Sequence, residues 1–366
     1  MIPINDLSRG IAKSEEVKEA IDRVLRSGFW IQGPEHQAFE KELAEFLNID
    51  FALGVASGTD ALEIALRAVG CRAGSKVITV ANAGGYTSIA AASIGCDVIY
   101  CDVDPISLLI DPSALAPLLS PKIQAVVVTH LYGNVAPIKK IKEMCAKFGI
   151  SVIEDCAQAI GGQEGAFRLG TIGDIGAFSF YPTKNLGGIG DGGALATKNP
   201  ELAKRMSQLR QYGWGAKYDI QISGGKNSRL DEIQAAVLRI GLKQVDELNS
   251  RRRSIATVYF NALKNSRINL VTSTLQNSVA HLAVLLLPSR EKREHFRDSL
   301  RLAGIQTDVH YPIFDFDQYG LMGGKQNSCL PNTVNQGGRI VSIPLFPELT
   351  DNEVTKIANV LRDYQS

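Results

Sequence analysis

One lysine, Lys184, lies in a nearly uncharged run of the chain, between an apolar segment and a glycine-rich segment. Residues 175–181 predict a strand that leads into it, and residues 194–197 predict a second strand after the glycines. A lysine held between two buried strands has a lowered pKa, because burial disfavours the charged ammonium. A neutral lysine amine can form a Schiff base with a carbonyl carbon. The same segment is also compatible with a surface hairpin whose lysine is solvated, and taken alone it favours that simpler interpretation.

A second group of polar residues, Ser57-Gly58-Thr59-Asp60, lies between a predicted strand (52–56) and a predicted helix (61–69). Glycine and small hydroxyl residues at the start of a helix leave backbone N–H groups free at its positive end, and such groups bind phosphate. An ordinary N-cap at Ser57 or Thr59 explains the same residues without a ligand. Taken alone, the segment favours the capping interpretation, and an anion site is the alternative.

An acid and an amide follow the predicted strand 151–154: Asp155 comes directly after it and Gln158 three residues later. A carboxylate so close to an apolar strand needs a cationic partner or several donors, which a structural salt bridge would also provide. Ligands of parallel α/β sheets bind beyond the carboxyl ends of the strands. We therefore expect Asp155, Gln158, Lys184 and the segment 57–60 to lie along one sheet edge, and this coincidence favours a functional site.

These residues depend on an alternation of short apolar strands with helices. Strands are predicted at 76–80, 98–101, 125–129 and 151–154, and helices at 86–94, 112–119 and 137–148. Apolar runs without polar alternation indicate strands covered on both faces, as in the mainly parallel sheet of an α/β domain.

The pattern changes near residue 250. One helix is predicted to end at about 249, and it is followed by helices at 250–264, 290–303 and 350–364 and by weaker strands near 281–287 and 305–310. A chain of 366 residues is long enough for two domains. We predict a large α/β domain over 1–245, which includes the N-terminal helices, and a smaller C-terminal α+β domain over 246–366.

Composition argues against several classes of protein. The chain has 39 basic and 38 acidic side chains, and its net charge of +1 provides no field that would attract nucleic acid or an anionic membrane. No apolar run approaches the roughly 20 residues that span a bilayer, and the N-terminus lacks a signal pattern. Six scattered cysteines without a C-x-x-C pair favour neither zinc nor disulfides. We therefore expect a cytoplasmic protein with no metal, nucleic-acid or membrane partner.

The glycine-rich run 188–193 matches the dinucleotide-binding pattern G-x-G-x-x-G by residue type. A strand is predicted after it, whereas that motif requires a helix whose N-terminus binds the phosphates. We interpret the glycines as the turn that returns the chain past Lys184, and no NAD site is predicted.

Together these motifs resemble fold-type I aminotransferases that depend on pyridoxal phosphate, and more narrowly the nucleotide-sugar aminotransferases of the DegT/DnrJ/StrS type. The most specific segment is 179–187, which reads Ser-Phe-Tyr-Pro-Thr-Lys-Asn-Leu-Gly. Other matching segments follow in the order of the family: 56–62, 130–133, 154–158, 190–193, 227–236 and 310–312. The resemblance implies a large α/β/α sandwich on a mainly parallel, seven-stranded sheet and a smaller C-terminal α+β domain.

The resemblance also implies a role for each matching residue. Lys184 would hold the cofactor as a Schiff base and act as the catalytic base, Asp155 would pair with the ring nitrogen, and Gln158 would bind the ring hydroxyl. The phosphate would be held by Gly58, Thr59 and Ser179. Asn227 would reach the phosphate of the partner subunit, so that two active sites are shared within a homodimer.

One departure from the family concerns the face of the cofactor ring. An aromatic residue usually stacks on the ring after the strand at 76–80, but this chain has Gly84 or its neighbour there. Tyr86 is the candidate replacement, and the alternative is that a different group covers the ring. Candidate contacts to the sugar nucleotide, each also compatible with a packing role, are Phe29, Trp30, Tyr181, Trp214, Arg229 and His310.

The implied reaction is a ping-pong transamination. An amino acid, by resemblance L-glutamate, would convert the cofactor into pyridoxamine 5′-phosphate, and the keto group of a nucleoside-diphosphate sugar would then accept the amino group. The alternatives are a related sugar dehydratase, a non-catalytic regulator with the same fold, and an aminotransferase for ordinary amino acids. The dehydratase has a histidine in place of the lysine, so Lys184 argues against it. The sugar, the aminated carbon and the nucleotide base stay open.

Overall fold

The computed structural model describes residues 1–10, 14–272, 275–321 and 329–364. Its α-helices are α1 (Glu15–Ser27), α2 (Pro34–Leu47), α3 (Gly58–Ala68), α4 (Tyr86–Ile94), α5 (Pro112–Leu115), α6 (Ile138–Ala146), α7 (Pro200–Leu209), α8 (Glu232–Leu242), α9 (Val245–Ala262), α10 (Arg290–Leu302), α11 (Pro331–Gln336) and α12 (Asp351–Asp363). Its strands are β1 (Phe51–Val55), β2 (Lys76–Val80), β3 (Asp97–Cys101), β4 (Ile123–Thr129), β5 (Ser151–Asp155), β6 (Gln163–Glu164), β7 (Phe167–Arg168), β8 (Ile175–Ser179), β9 (Gly193–Thr197), β10 (Trp214–Ala216), β11 (Asp219–Ile220), β12 (Asn269–Leu270), β13 (Ala283–Leu286) and β14 (Ile340–Ile343).

The main sheet has seven strands in the order β1-β9-β8-β5-β4-β2-β3. Neighbouring strands from β8 to β3 are parallel, and β9 runs antiparallel to both β1 and β8. The predicted α/β fold with a mainly parallel sheet is confirmed. The jumps in strand order at β5–β8 and β4–β2 leave the carboxyl ends of the strands open to a ligand.

Both faces of this sheet are buried, which explains the unbroken apolar runs of its strands. In β4, Val126 and Val128 belong to one hydrophobic cluster, whereas Ala125 and Val127 belong to a second cluster. Successive side chains of a strand point to opposite faces, so the two clusters lie on the two sides of the sheet. Strands buried on both sides need no polar alternation.

A third hydrophobic cluster combines the C-terminal segments with the N-terminus. It joins buried residues of α9, α10, α12, β13 and β14, and it includes Ile2, which pairs with Ile305. The strands β12, β13 and β14 form their own antiparallel sheet. This separate core agrees with a smaller C-terminal unit, although the boundary at 245 stays a prediction.

Two details of the C-terminal half differ from the predictions. The helix break predicted at about 250 lies at residues 243–244, and α9 then continues unbroken to Ala262. No proline or glycine interrupts α9, so the change of composition at 250 has no structural counterpart. The weak strand predicted at 305–310 is absent among the described residues, where Ile305 and Asp308 form only isolated bridges.

Glu232, at the start of α8, fixes the N-terminus of α2 to α8. Its carboxylate accepts backbone N–H bonds from Gly33 at 2.7 Å and from Glu35 and His36 at 2.9 Å. These groups belong to the N-terminus of α2, whose positive end stabilises a buried carboxylate. Hydrogen bonds to charged groups contribute about 1.5–3 kcal/mol each. The contact positions the aromatic loop 29–31 beside α8.

Two findings concern the environment of the chain. All six cysteines are free thiols, and four of them are buried. Over the described ranges, the helices include none that is both long and apolar enough to cross a bilayer.

Candidate active site

A cavity of about 630 Å³ lies at the carboxyl end of the main sheet. Asp155 is the last residue of β5, Ser179 is the last residue of β8, and Gly58 begins α3 after the short connection 56–57 that follows β1. These three residues line the cavity together with Gln158 and Lys184. The sequence predicted that these residues would lie together at the carboxyl ends of the strands, and in the structure they line one cavity.

The N-terminus of α3 forms one side of the cavity. Ser57 is its N-cap, because Ser57 Oγ accepts a hydrogen bond from Asp60 N–H at 3.1 Å. The backbone N–H groups of Gly58 and Thr59 precede the first intrahelical bonds and have no acceptor among the described residues. A Cβ atom on Gly58 would lie 2.6 Å from Ser179 Cβ, so a glycine is needed for this close approach. Capping and anion binding are thus compatible: Ser57 caps the helix, and the next two N–H groups stay free beside a hydroxyl.

The half-buried Lys184 and the buried Asp155 place an amine and a carboxylate on the same cavity. Burial lowers the pKa of Lys184, and the attraction of Asp155 opposes this shift only in part. Burial raises the pKa of Asp155 despite hydrogen bonds from Ala157 N–H at 3.1 Å and Thr129 Oγ at 3.2 Å. Within the described part of the chain, nothing accepts a hydrogen bond from Lys184 Nζ. The amine is therefore poised to react, and the carboxylate is stabilised by any cation that enters.

The amide of Gln158 is oriented by two tyrosines. Its Oε1 accepts a hydrogen bond from the backbone N–H of Tyr132 at 2.6 Å, which fixes the amide orientation. Its Nε2 donates to the hydroxyl of Tyr311 at 3.0 Å. One amide hydrogen of Gln158 stays available to a ligand in the cavity.

Behind this wall, His130 and Glu154 form a buried structural pair. His130 Nδ1 accepts a hydrogen bond from Ala136 N–H, so Nε2 carries the proton and donates to Glu154 at 3.1 Å. Glu154 also accepts backbone N–H bonds from the turn at 170–173. Burial alone would raise the pKa of Glu154, but these donors outweigh it and lower the pKa. Cys156 completes a metal-like cluster with this pair, but the imidazole and carboxylate lone pairs that a metal would use already accept hydrogen bonds.

The remaining candidate residues divide into two groups. Tyr86, Tyr181 and His310 line the cavity. The other five lie outside it, at exposed or half-buried positions: Phe29, Trp30, Trp214, Asn227 and Arg229. Trp214 packs against Tyr212 with ring centroids 4.8 Å apart, and the Arg229 guanidinium lies 5.9 Å from the same tyrosine ring.

Two residues that line the cavity, His281 and Tyr311, were missed as candidates by the sequence reasoning. His281 Nδ1 donates to Asn185 Oδ1 at 2.8 Å, because the Asn185 amide group is used as a donor toward Asn249 and Val279. Burial lowers the pKa of His281, and the nearby charge of Lys184 lowers it further. The imidazole is therefore neutral, with an unprotonated Nε2 beside the cavity. The one feature of the sequence that could have indicated a role for this residue is that it is a histidine at the start of a weakly predicted strand.

Replacing His281 by glutamine is expected to reduce the acid sensitivity of the fold. The pKa of His281 is lowered in the folded state, so protons bind preferentially to the unfolded chain as the pH falls below about 6.5. The wild-type free energy of unfolding then falls between about pH 6.5 and pH 5. Urea unfolding at three pH values should show a shallower fall for His281→Gln. The exposed His295→Gln serves as the control, and equal slopes for wild type and His281→Gln would contradict a neutral buried imidazole.

The fold and this cavity together define a class of protein: a fold-type I transferase of the kind that uses pyridoxal phosphate. The family model of the DegT/DnrJ/EryC1/StrS aminotransferase family matches residues 12–362. The chain belongs to this family.

Three similar proteins illustrate what the family contains. The dTDP-3-amino-3,6-dideoxy-alpha-D-galactopyranose transaminase of Aneurinibacillus thermoaerophilus is 37% identical over 100% of this chain and 99% of its own length. The erythromycin biosynthesis sensory transduction protein EryC1 of Saccharopolyspora erythraea is 35% identical over 99% of both chains. The crystal structure of S. venezuelae DesV in complex with a ketimine intermediate has a TM-score of 0.94 and 35% identity, and the match covers 99% of this chain and 98% of DesV.

Proposed function

We propose that this protein is a pyridoxal-phosphate-dependent aminotransferase that transfers an amino group from L-glutamate to a keto sugar carried by a nucleoside diphosphate. The observation that carries the proposal is the amine of Lys184 and the buried carboxylate of Asp155 on one cavity, together with the free N-terminus of α3. Similarity over the full length to a dTDP-sugar transaminase supports the nucleotide-linked substrate. The free thiols fit a reducing compartment, and we propose the cytoplasm.

The residues present fit pyridoxal phosphate. Asp155 would hold the protonated ring nitrogen, which supplies the cation that this buried carboxylate lacks. Gln158 would donate its remaining amide hydrogen to the ring hydroxyl. The phosphate would be bound by the N–H groups of Gly58 and Thr59 and by the hydroxyl of Ser179.

When bound, pyridoxal phosphate supplies an electron-withdrawing ring and stores the amino group between the two half-reactions as pyridoxamine phosphate. Lys184 is the proton carrier: its neutral amine accepts the proton from the α-carbon of the amino donor. The resulting ammonium later returns a proton to the sugar carbon that receives the amino group. Asp155 would stay ionised beside the protonated ring nitrogen.

The sugar and its nucleotide would enter from the open side of the cavity. Tyr86, Tyr181 and His310 line the cavity, and Tyr86 and Tyr181 are partly open to solvent. His310 Nδ1 is held by the hydroxyl of Ser342 at 2.8 Å, so its ring has a fixed orientation toward an entering ligand. The residues outside the cavity would contact the nucleotide bound in the site of a partner subunit: Phe29, Trp30, Trp214 and Arg229.

A homodimer with shared sites explains the position of Asn227, which is exposed and outside the cavity of its own chain. Lys226 beside it is tied to α3 by ion pairs with Asp60 at 2.5 Å and Glu63 at 2.9 Å, which fixes the segment. Mixing an inactive Lys184→Ala chain with an Asn227→Ala chain should restore part of the activity, because one of the two hybrid sites has both residues. Co-refolded mixtures should gain turnover relative to each variant alone. Mixed dimers without any gain would contradict the shared site.

A regulatory protein without catalysis is the second candidate, since EryC1 is named for sensory transduction. The energetic cost of the site argues against a regulator. Burial lowers the pKa of Lys184 and raises the pKa of Asp155, so it favours the neutral form of both groups. Two buried ionisable groups destabilise a fold unless they are paired with a ligand or have another use. A chain that only bound a partner would gain stability by losing them.

The decisive experiment incubates the purified protein, pyridoxal phosphate and L-glutamate with a panel of nucleoside-diphosphate keto sugars. Mass spectrometry should detect one aminated sugar nucleotide and an equal amount of 2-oxoglutarate. A yellow protein that borohydride labels at Lys184 but that aminates no member of the panel would favour a different acceptor. A protein that neither binds the cofactor nor is labelled would overturn the catalytic proposal.

A further inference from the structure

The loop between β2 and α4 carries no side chain at the position that faces the cavity wall. Gly84 and Gly85 both adopt positive φ angles, of 83° and 84°. A Cβ atom built on Gly84 would lie 2.9 Å from Tyr311 Cε1 and Cζ. The space beside Gly84 is thus already filled by the phenol ring of Tyr311, which comes from the C-terminal part of the chain.

Several contacts hold Tyr311 in this place. Its hydroxyl accepts the hydrogen bond from Gln158 at 3.0 Å. Four residues further on, Asp315 N–H donates to the carbonyl of Ala81 at 2.9 Å, and Asp315 Oδ2 accepts from Ser88 Oγ at 2.6 Å. The segment 311–315 is therefore attached to both ends of the glycine loop.

Tyr311 and Tyr86 differ in their relation to the buried wall. Tyr311 touches Gln158, and burial raises the pKa of its hydroxyl, with Asp155 adding to the shift. Tyr86 is 46% exposed and meets the Tyr311 ring edge-on, with centroids 6.1 Å apart. Tyr311 is thus the inner aromatic ring and Tyr86 the outer one.

We propose that Tyr311 covers one face of the cofactor ring, from the C-terminal part of the chain, where the loop after β2 offers only Gly84 and Gly85. The proposal rests on the proposed function, because it requires the ring to lie between Asp155 and Gln158. Glycine at position 84 is then a requirement: any side chain there would displace the phenol ring. The affinity for the cofactor would therefore depend on the packing of segment 311–315 against the large sheet.

The test measures the affinity of pyridoxamine 5′-phosphate, which has an amine in place of the aldehyde and forms no covalent bond with Lys184. Wild type, Tyr311→Ala, Tyr311→Phe and Tyr86→Ala are titrated by absorbance and by visible circular dichroism. Tyr311→Ala should bind about 10-fold more weakly, since an aromatic contact of this kind is worth roughly one power of ten. Tyr311→Phe keeps the ring and should stay within about threefold of wild type, as should Tyr86→Ala. The dichroism of the bound cofactor should change in Tyr311→Ala alone.

The outcomes separate this inference from the function on which it rests. If wild type binds no pyridoxamine phosphate, the proposed function fails. If wild type binds and Tyr86→Ala is the weakened variant, or if Tyr311→Ala binds as tightly as wild type, the inference alone is overturned. Thermal unfolding of the cofactor-free variants checks the fold. Should Tyr311→Ala not fold, Tyr311→Leu keeps most of the volume without the aromatic face, and it should also bind several-fold more weakly.

Discussion

Replacing Lys184 by alanine is expected to lower the transamination rate by about 10⁴-fold or more, because one residue provides both the covalent attachment and the proton transfer. The fold should survive the change. Within the described residues Lys184 Nζ has no hydrogen-bond partner, so its removal leaves no buried acceptor unsatisfied. Burial also lowers the pKa of Lys184, which means that the folded state does not favour the charged ammonium. Single-turnover assays with excess enzyme measure the loss, and unfolding curves measure the stability.

The matched control for this variant is Lys198→Ala, an exposed lysine directly after β9. It should keep wild-type turnover and lose only surface contacts. The Lys184→Ala chain should still bind pyridoxal phosphate without a covalent bond, so its absorbance differs from that of wild type while some affinity remains. Turnover within tenfold of wild type would assign the proton transfer to another group, and His281 would be the first to examine.

The alternation of elements was sufficient to predict the sheet and one wall of the site. The strand ends at Asp155 and Ser179 follow from short apolar runs, which are local features of the sequence. In a parallel sheet these ends meet at one edge regardless of how the helices pack. Gly58 belongs to the same edge because only residues 56–57 separate the end of β1 from the start of α3.

The other side of the cavity could not be predicted in this way. Tyr311 and His281 reach it from the C-terminal part of the chain, through contacts with Gly84 and Asn185 that join residues far apart in sequence. Nothing local in residues 281–311 indicates which side chain faces the sheet. The absence of an aromatic side chain at position 84 itself was visible in the sequence. The approach of Tyr311 to this position was not, because it depends on how two parts of the chain dock.

Exposed aromatic residues illustrate a second limit. Phe29 and Trp30 read equally as core or as ligand contacts, and in the chain they are 60% and 62% exposed. The loop that carries them is held by Glu232, so their position is defined although their partner is not. Large exposed aromatic rings on an ordered loop are typical of an interface. A sequence gives the residue type, whereas exposure depends on which surfaces the rest of the chain leaves open.

Asp155→Asn is expected to separate stability from activity, since it should lower the rate by about 10²–10³-fold while the cofactor-free protein becomes at least as stable as wild type. The rate falls because a neutral amide no longer stabilises the positive charge on the ring nitrogen, and one lost charge-stabilising contact has an effect of this size. The local hydrogen bonds can be kept. Asparagine Oδ1 can accept from Ala157 N–H, and the hydroxyl of Thr129 can rotate to accept from the new amide.

The pH dependence gives the sign of the stability effect. The pKa of Asp155 is raised in the fold by burial, so protons bind preferentially to the folded state. The Asp155 carboxyl group contributes fully to the free energy of unfolding at pH values below the unfolded pKa of about 3.9. This contribution is lost as the pH rises through the higher pKa of the folded state. The stability advantage of Asp155→Asn over wild type should therefore be larger at about pH 8 than at about pH 4. Urea unfolding of both cofactor-free proteins measures this difference, with the exposed Asp50→Asn as control.

Added pyridoxal phosphate should reverse the order of stability at pH 8, because the ring cation stabilises wild type through Asp155 and has no charged partner in the variant. A variant that is less stable than wild type without cofactor at pH 8 would show that Asp155 is a structural acid, held by its two hydrogen bonds rather than kept for a cation.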